Sequence, residues 1–162
     1  MTQPGTDNAV YLKTLLAYYE DEVMGEAYFH GLAEHIDGGA ERGKLVLLAE
    51  VERRAADAIL PLLEKHGLVP RGDSVLKALG EAHVERHQHY SWMEFVAYMA
   101  ARYPAYVDDF EALEHLAPEE DLPALKVLTD HEVAAIDFAN KEIAGDPDSL
   151  ASIREFLGRR TA

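Results

Sequence analysis

Three glutamates, Glu26, Glu52 and Glu132, recur at mid-length on what hydrophobic periodicity marks as the inward faces of three separate helices. An ionised carboxylate on such a face is costly unless it is paired, hydrogen-bonded or bound to a metal. One such glutamate is ordinarily a boundary residue whose carboxylate reaches water, but three at matching depth argue for a cluster. Three carboxylates in one dry site cannot all stay ionised without cations. Two chemistries resolve this. One is a divalent metal held by oxygen and imidazole ligands. The other is proton sharing, with phenols and imidazoles satisfying the remaining atoms. His30, one turn after Glu26, and Glu22, one turn before it, are the additional ligand candidates. Tyr103 and Tyr106, at the same level on the remaining helix, and Tyr19 are expected to surround the ligands.

A second group, EAHVERHQHY, holds His83, His87 and His89. His83 and His87 are four apart and would share a helical face, a spacing that suits zinc or nickel if Glu81 or Glu85 joins. The H-E-x-x-H order is absent, so the better reading is a solvated helix end not needed for binding in the centre. The triplet Glu20-Asp21-Glu22 likewise reads mostly as a solvated face. There is no nucleophile elbow, phosphate loop or dinucleotide fingerprint.

The elements that must position the glutamates follow from the stripes. The first helix, Tyr11 to about His35, carries Leu12, Leu15, Leu16, Tyr19, Val23, Glu26, His30 and Ala33 on one face, with Asp7 or Thr6 as its N-cap and Gly38-Gly39 as its stop. The second, about Glu41 to His66, carries Leu45, Leu48, Glu52, Ala55, Ile59, Leu62/Leu63 and His66; Pro61 is expected to kink it and Gly67 to end it. So short a link predicts an antiparallel hairpin. Residues 67–90 include the turn-rich GLVPRGD and a weakly helical stretch over 74–89, long enough for a crossover to a third helix parallel to the second. That helix opens on a capping box, Ser91 with Glu94, and runs to about Ala117 with Pro104 as a kink. Its stripe is Trp92, Phe95, Val96, Met99, Tyr103, Tyr106, Phe110 and Leu113, with Asp109 and Glu114 at the edges. The fourth, about Leu122 to Ala144, has Asp121 as cap, Pro123 in its first turn and Gly145 as stop. Its stripe is Leu125, Leu128, Glu132, Ala135, Ile136, Ala139 and Ile143; His131 is expected to the side, near Phe138. A short helix over Ser149–Leu157 is expected to cover one end.

Composition sets the bounds. The 162 residues suit a single domain, 1–162, and carry a net charge of −15 from 30 acidic and 15 basic residues. That charge repels phosphate backbones and anionic membranes, so neither nucleic acid nor a membrane is an expected partner; a second copy of the chain, in a homodimer, stays open. With no cysteine, disulfides, thiolate metal sites and cysteine nucleophiles are excluded. No spanning segment or signal peptide is read, and a cytoplasmic location is the default expectation.

The pattern of carboxylates resembles the ferritin-like superfamily, which includes rubrerythrins and other carboxylate-bridged di-metal proteins, over about residues 9–144. That superfamily places a Glu on one helix of each pair and Glu-x-x-His on the other. Glu26, Glu52 and Glu132 match glutamates of the pattern, while Ala55 and Ala135 stand where its histidines belong, and the third helix offers tyrosine instead of glutamate. The segment HEVAAIDFANKEIAGDPDSL is similar to bacterial ferritin-like sequences. The resemblance implies an all-α, ferritin-like four-helix bundle with a crossover between helices two and three and a short C-terminal helix. It implies iron or manganese as cofactor, with oxidase or oxygenase chemistry open to a redox-active pair. The missing histidines favour the alternative, a metal-free ferritin-like scaffold serving as an interaction or small-ligand-binding module.

Overall fold

Apolar residues spaced three and four apart over long stretches make helices that run the length of the molecule. The computed structural model describes residues 4–159. In order they form α1 (Pro4–Glu34), α2 (Gly39–Lys65), α3 (Asp73–His83), α4 (Trp92–Arg102), α5 (Pro104–Leu116), α6 (Leu122–Ile143) and α7 (Ala151–Gly158), with short 3-10 turns at Val84–Arg86 and Glu119–Asp121. The protein is all-helical: there is no strand among the described residues. None of these helices is long and apolar enough to cross a membrane.

The stops and starts are mostly those expected from the residues. Gly67 and Gly145 take φ of 68° and 69°, the left-handed conformation that a Cβ disfavours, and the amides of Leu68 and Asp146 close back on Leu63 and Lys141 carbonyls. Ser91 and Glu94 form the capping box. Three expectations need correction. α1 starts at Pro4, so Asp7 lies inside its first turn rather than capping it; the Thr6 side chain lies outside the described residues. The third long helix is two, broken at Tyr103, because Pro104 has no N–H to offer the preceding turn and instead starts α5. Asp121 makes no cap; it is fully buried and accepts hydrogen bonds from Tyr11, Lys65 and His66.

Matched contacts give the helix directions. Tyr11 lies against His66 and Glu26 against Arg53, so α1 and α2 are antiparallel. Lys44 meets Glu142 while Lys65 meets Asp121, so α2 and α6 are antiparallel. Trp92 packs on Phe138 and Phe110 on His131, so α4 and α5 oppose α6. α4 and α5 therefore run parallel to α2, and the segment containing α3 carries the chain back between them. α3 sits close on α1: a Cβ on Gly80 would collide with the Met24 carbonyl, and one on Gly31 with the Val84 side chain.

The apolar interior falls into two clusters. One holds Phe29, Leu48, Val96, Met99, Phe138 and Phe156; the other holds Tyr11, Leu15, Ile59, Leu63, Leu113 and Leu125. Each fully buried side chain of this kind stabilises the fold by about 1.5–3 kcal/mol. Between the clusters, at mid-length, lies a layer of buried polar groups.

Candidate functional site

The polar layer is built by Glu22 of α1, Glu52 of α2, and His131 and Glu132 of α6, all buried. The His131 ring lies between Phe110 and Phe156, at centroid distances of 5.7 and 6.4 Å. Its Nδ1 is hydrogen-bonded to the Leu128 carbonyl. That bond makes Nδ1 the N–H donor and turns Nε2 toward the carboxylates, 2.9 Å from Glu22 Oε2, 3.3 Å from Glu132 Oε2 and 3.6 Å from Glu52 Oε2. Despite these approaches His131 Nε2, Glu22 Oε2 and Glu132 Oε1 have no hydrogen-bond partner. One ligand atom each from Glu22, Glu52 and His131 lies within 4.8 Å of the others. Gly25 makes the space: a Cβ there would sit 2.9 Å from Glu52 Oε2 and 3.1 Å from its Cδ.

Burial is the largest influence on all four groups. It pushes the Glu132 carboxyl up to about 8, against the opposing charge of His131. Burial, then the charge of Glu52, holds Glu22 well above the ordinary carboxylate range. For Glu52 burial is outweighed by the neighbouring Glu22 carboxyl and His131, which hold it below its ordinary value. Burial likewise disfavours an imidazolium at His131, but Glu22 and Glu52 outweigh it and raise its affinity for a proton. The cluster thus demands positive charge, and either protons or a cation can supply it.

The sequence-derived ligand set is only partly brought together. Glu52, Glu132 and Glu22 meet at the centre. Glu26 does not: it faces the groove between α2 and α3, where Arg53 holds it with bonds of 2.6 and 3.3 Å while also reaching Asp57 and Asp73. His30 is exposed to solvent. Tyr19 is buried, but beside Arg53 and Asp73 rather than around the centre. Tyr103 is buried next to Glu132 and Glu52, whereas Tyr106 is 44% exposed. His131, expected to the side, is fully buried and central. The physical reason is that α1 and α6 each bury two adjoining lines of residues. On α1 the line Tyr11, Leu15, Tyr18, Glu22, Gly25, Phe29, Leu32 faces the centre; the line through Tyr19, Val23 and Glu26 is covered by α2 and α3.

Glu22, Glu52 and Glu132 also form the floor of a cavity of about 340 Å³ walled largely by aromatic rings. His83 and His87 belong to its wall, which corrects the expected solvated helix end for these two; His89 is exposed. His87 Nδ1 is hydrogen-bonded to the Tyr28 hydroxyl at 2.6 Å, and its ring centroid lies 4.2 Å from that of Tyr98. Neither histidine meets a carboxylate in a metal-binding group; the group found among the described residues is that of Glu22, Glu52 and His131.

No family model, curated protein or solved structure matches this chain.

Proposed function

We propose that this chain is a ferritin-like metalloprotein that binds one divalent ion, iron or manganese, with Glu22, Glu52 and His131, beside which Glu132 lies. The carrying observation is the convergence of a fully buried, unpartnered imidazole nitrogen with the carboxylate oxygens of three different helical positions. Ligand atoms about 2.1 Å from one ion lie roughly 3.0 Å apart at right angles and roughly 3.4 Å apart in a tetrahedron. The separations of 2.9, 3.3 and 3.6 Å around Nε2 have the size of such edges. The carbonyl that holds the other ring nitrogen is what metal-binding histidines ordinarily use to fix their tautomer. A mixed carboxylate and imidazole set suits manganese, iron or zinc. A set with a single imidazole fits one ion better than two, since Ala55 and Ala135 replace the histidines a di-metal pair would use. The antiparallel α1–α2 pair, the crossing segment and α4–α5 parallel to α2 support the ferritin-like reading.

The cavity gives a small molecule a route to the ion. When bound, the ion would act as a Lewis acid or redox centre toward that molecule. The protein's part is to hold the ligands in register, keep the floor dry and set the shape of the approach.

The second reading is a metal-free scaffold in which Glu22 and Glu132 keep their protons and Glu52 faces an imidazolium at His131. The raised proton affinities of Glu22, Glu132 and His131 favour it. Metal analysis of protein purified without chelator, followed by melting with and without chelator, separates the two. A bound ion predicts about one equivalent of metal and a Tm about 5–10 °C lower in chelator. A metal-free, chelator-insensitive protein that takes up no iron, manganese or zinc, with Glu52→Gln as stable as the parent, would sink the metal reading.

A further inference from the structure

We propose that the cavity above the carboxylate floor is a binding site for a small organic amine, held as its cation with its carbon body against the tyrosine rings and its ammonium at Glu132. This goes beyond the metal reading and does not require it. The first support is the wall. Tyr18, Tyr28, Phe29, Tyr98, Tyr103 and Phe110 enclose a space of about 340 Å³, ample for an amine with a single ring. Aromatic faces attract cations through their quadrupole, and the attraction grows where water is excluded. The second is a buried acidic group on an otherwise largely apolar wall: Glu132 lines this cavity and is nine-tenths or more buried. An ammonium gives that carboxyl group a charge-assisted donor.

The charge balance around the cavity selects the sign of the ligand. Asp21 and Asp109 flank its mouth, and Glu22, Glu52 and Glu132 form its floor. On the opposite wall Arg86 is the one permanent cation among the lining residues, and it is exposed. His83 and His87 are held toward the neutral form by burial and by Arg86. An anionic ligand would meet five acidic side chains against one exposed cation.

The test is calorimetric titration with three probes that share a ring and differ in charge: phenethylamine, 2-phenylethanol and phenylacetate. Phenethylamine is expected to bind about tenfold more tightly than the alcohol, with phenylacetate weakest. Glu132→Gln should remove most of the preference. Because that change also touches the metal ligands, Asp109→Asn, an exposed position at the mouth, provides the second variant. It should weaken the amine by about threefold and leave the alcohol unchanged. No saturable amine binding, an alcohol that binds as tightly as the amine, or a preference for phenylacetate overturns the proposal. Repeating the titration on chelator-treated protein separates the two readings. Amine selectivity in a protein that never takes up metal leaves this inference standing and removes the metal site. A metal-loaded protein that prefers phenylacetate does the opposite.

Discussion

At His131 the two ring nitrogens have different duties. Nδ1 is committed to the Leu128 carbonyl, so everything the residue can do for a ligand falls to Nε2, and Nε2 has three carboxylates around it and no bond to any of them. Leaving a buried polar atom unpaired costs about 1–3 kcal/mol, and this site leaves three. A group that fills the space between them recovers that cost. Glu22 and Glu26, one turn apart on the same helix, make the sharpest comparison. Glu22→Gln should abolish stoichiometric metal binding while changing the metal-free protein little, since one of several crowded carboxylates is neutralised. Glu26→Gln should leave the metal in place and lower stability by about 1 kcal/mol, because it breaks the partly buried pair with Arg53. Metal stoichiometry and melting of both variants decide it; equal metal loss in the two would mean that Glu26 takes part in the centre after all.

α2 was legible from its residues and α1 was not, and the difference lies in what covers each helix. On α2 the line Leu45, Leu48, Glu52, Ala55, Ile59 and Leu62 lies inward, all six residues are buried as read, and the residues buried beside it, Ala49, Val51, Ala56 and Leu63, are apolar and offer no rival to Glu52. α1 has α2, α3 and α5 around it, so two lines of residues look equally inward, and periodicity alone cannot say which one meets the centre. The line through Glu26 was the wrong one. α6 is similar: α7 places Phe156 against His131, which buries a flank that would otherwise face water. The signal that could have found His131 is its place in Leu128, His131, Ala135, Phe138, spaced three, four and three apart. α3 left the weakest trace in the sequence, yet it closes the α1 flank and carries His83 into the cavity wall. Its seat depends on Gly80, where a Cβ would strike the Met24 backbone carbonyl, an atom that cannot turn aside. Gly80→Ala should therefore cost about 2 kcal/mol or more and loosen α3 from α1. Gly31→Ala meets only the Val84 side chain and should cost less. Thermal melts rank the two, and hydrogen exchange over residues 73–86 should rise in Gly80→Ala first; the reverse order would show that α3 is not held by this contact.

On the scale of the whole molecule, the polar layer divides the apolar interior, and a second set of polar contacts joins the helices at the end that holds Tyr11, Leu63 and Leu125. One tie is Asp121, fully buried at the start of α6, which accepts from Tyr11 of α1 at 2.7 Å, Lys65 of α2 at 2.5 Å and His66 at 2.7 Å. Burial alone would raise its pKa, but the bonds from Lys65, His66 and Tyr11 outweigh burial and hold the carboxyl below its ordinary value of 3.8. A carboxyl whose pKa is depressed by folding stabilises the native state above its unfolded pKa and ceases to do so as pH falls through the native one. The Asp121 contribution is thus complete at neutral pH and disappears only below about pH 4. Asp121→Asn should lower stability at pH 7 by on the order of 2–4 kcal/mol, because it strands Lys65 and His66 beside a neutral amide. Denaturant titrations of both proteins from pH 7 to pH 3 measure the gap. It should be constant down to about pH 4 and narrow below that as the parent protonates. A gap that is small at pH 7, or that widens as acid is added, would mean that the anion at residue 121 does not join α1, α2 and α6.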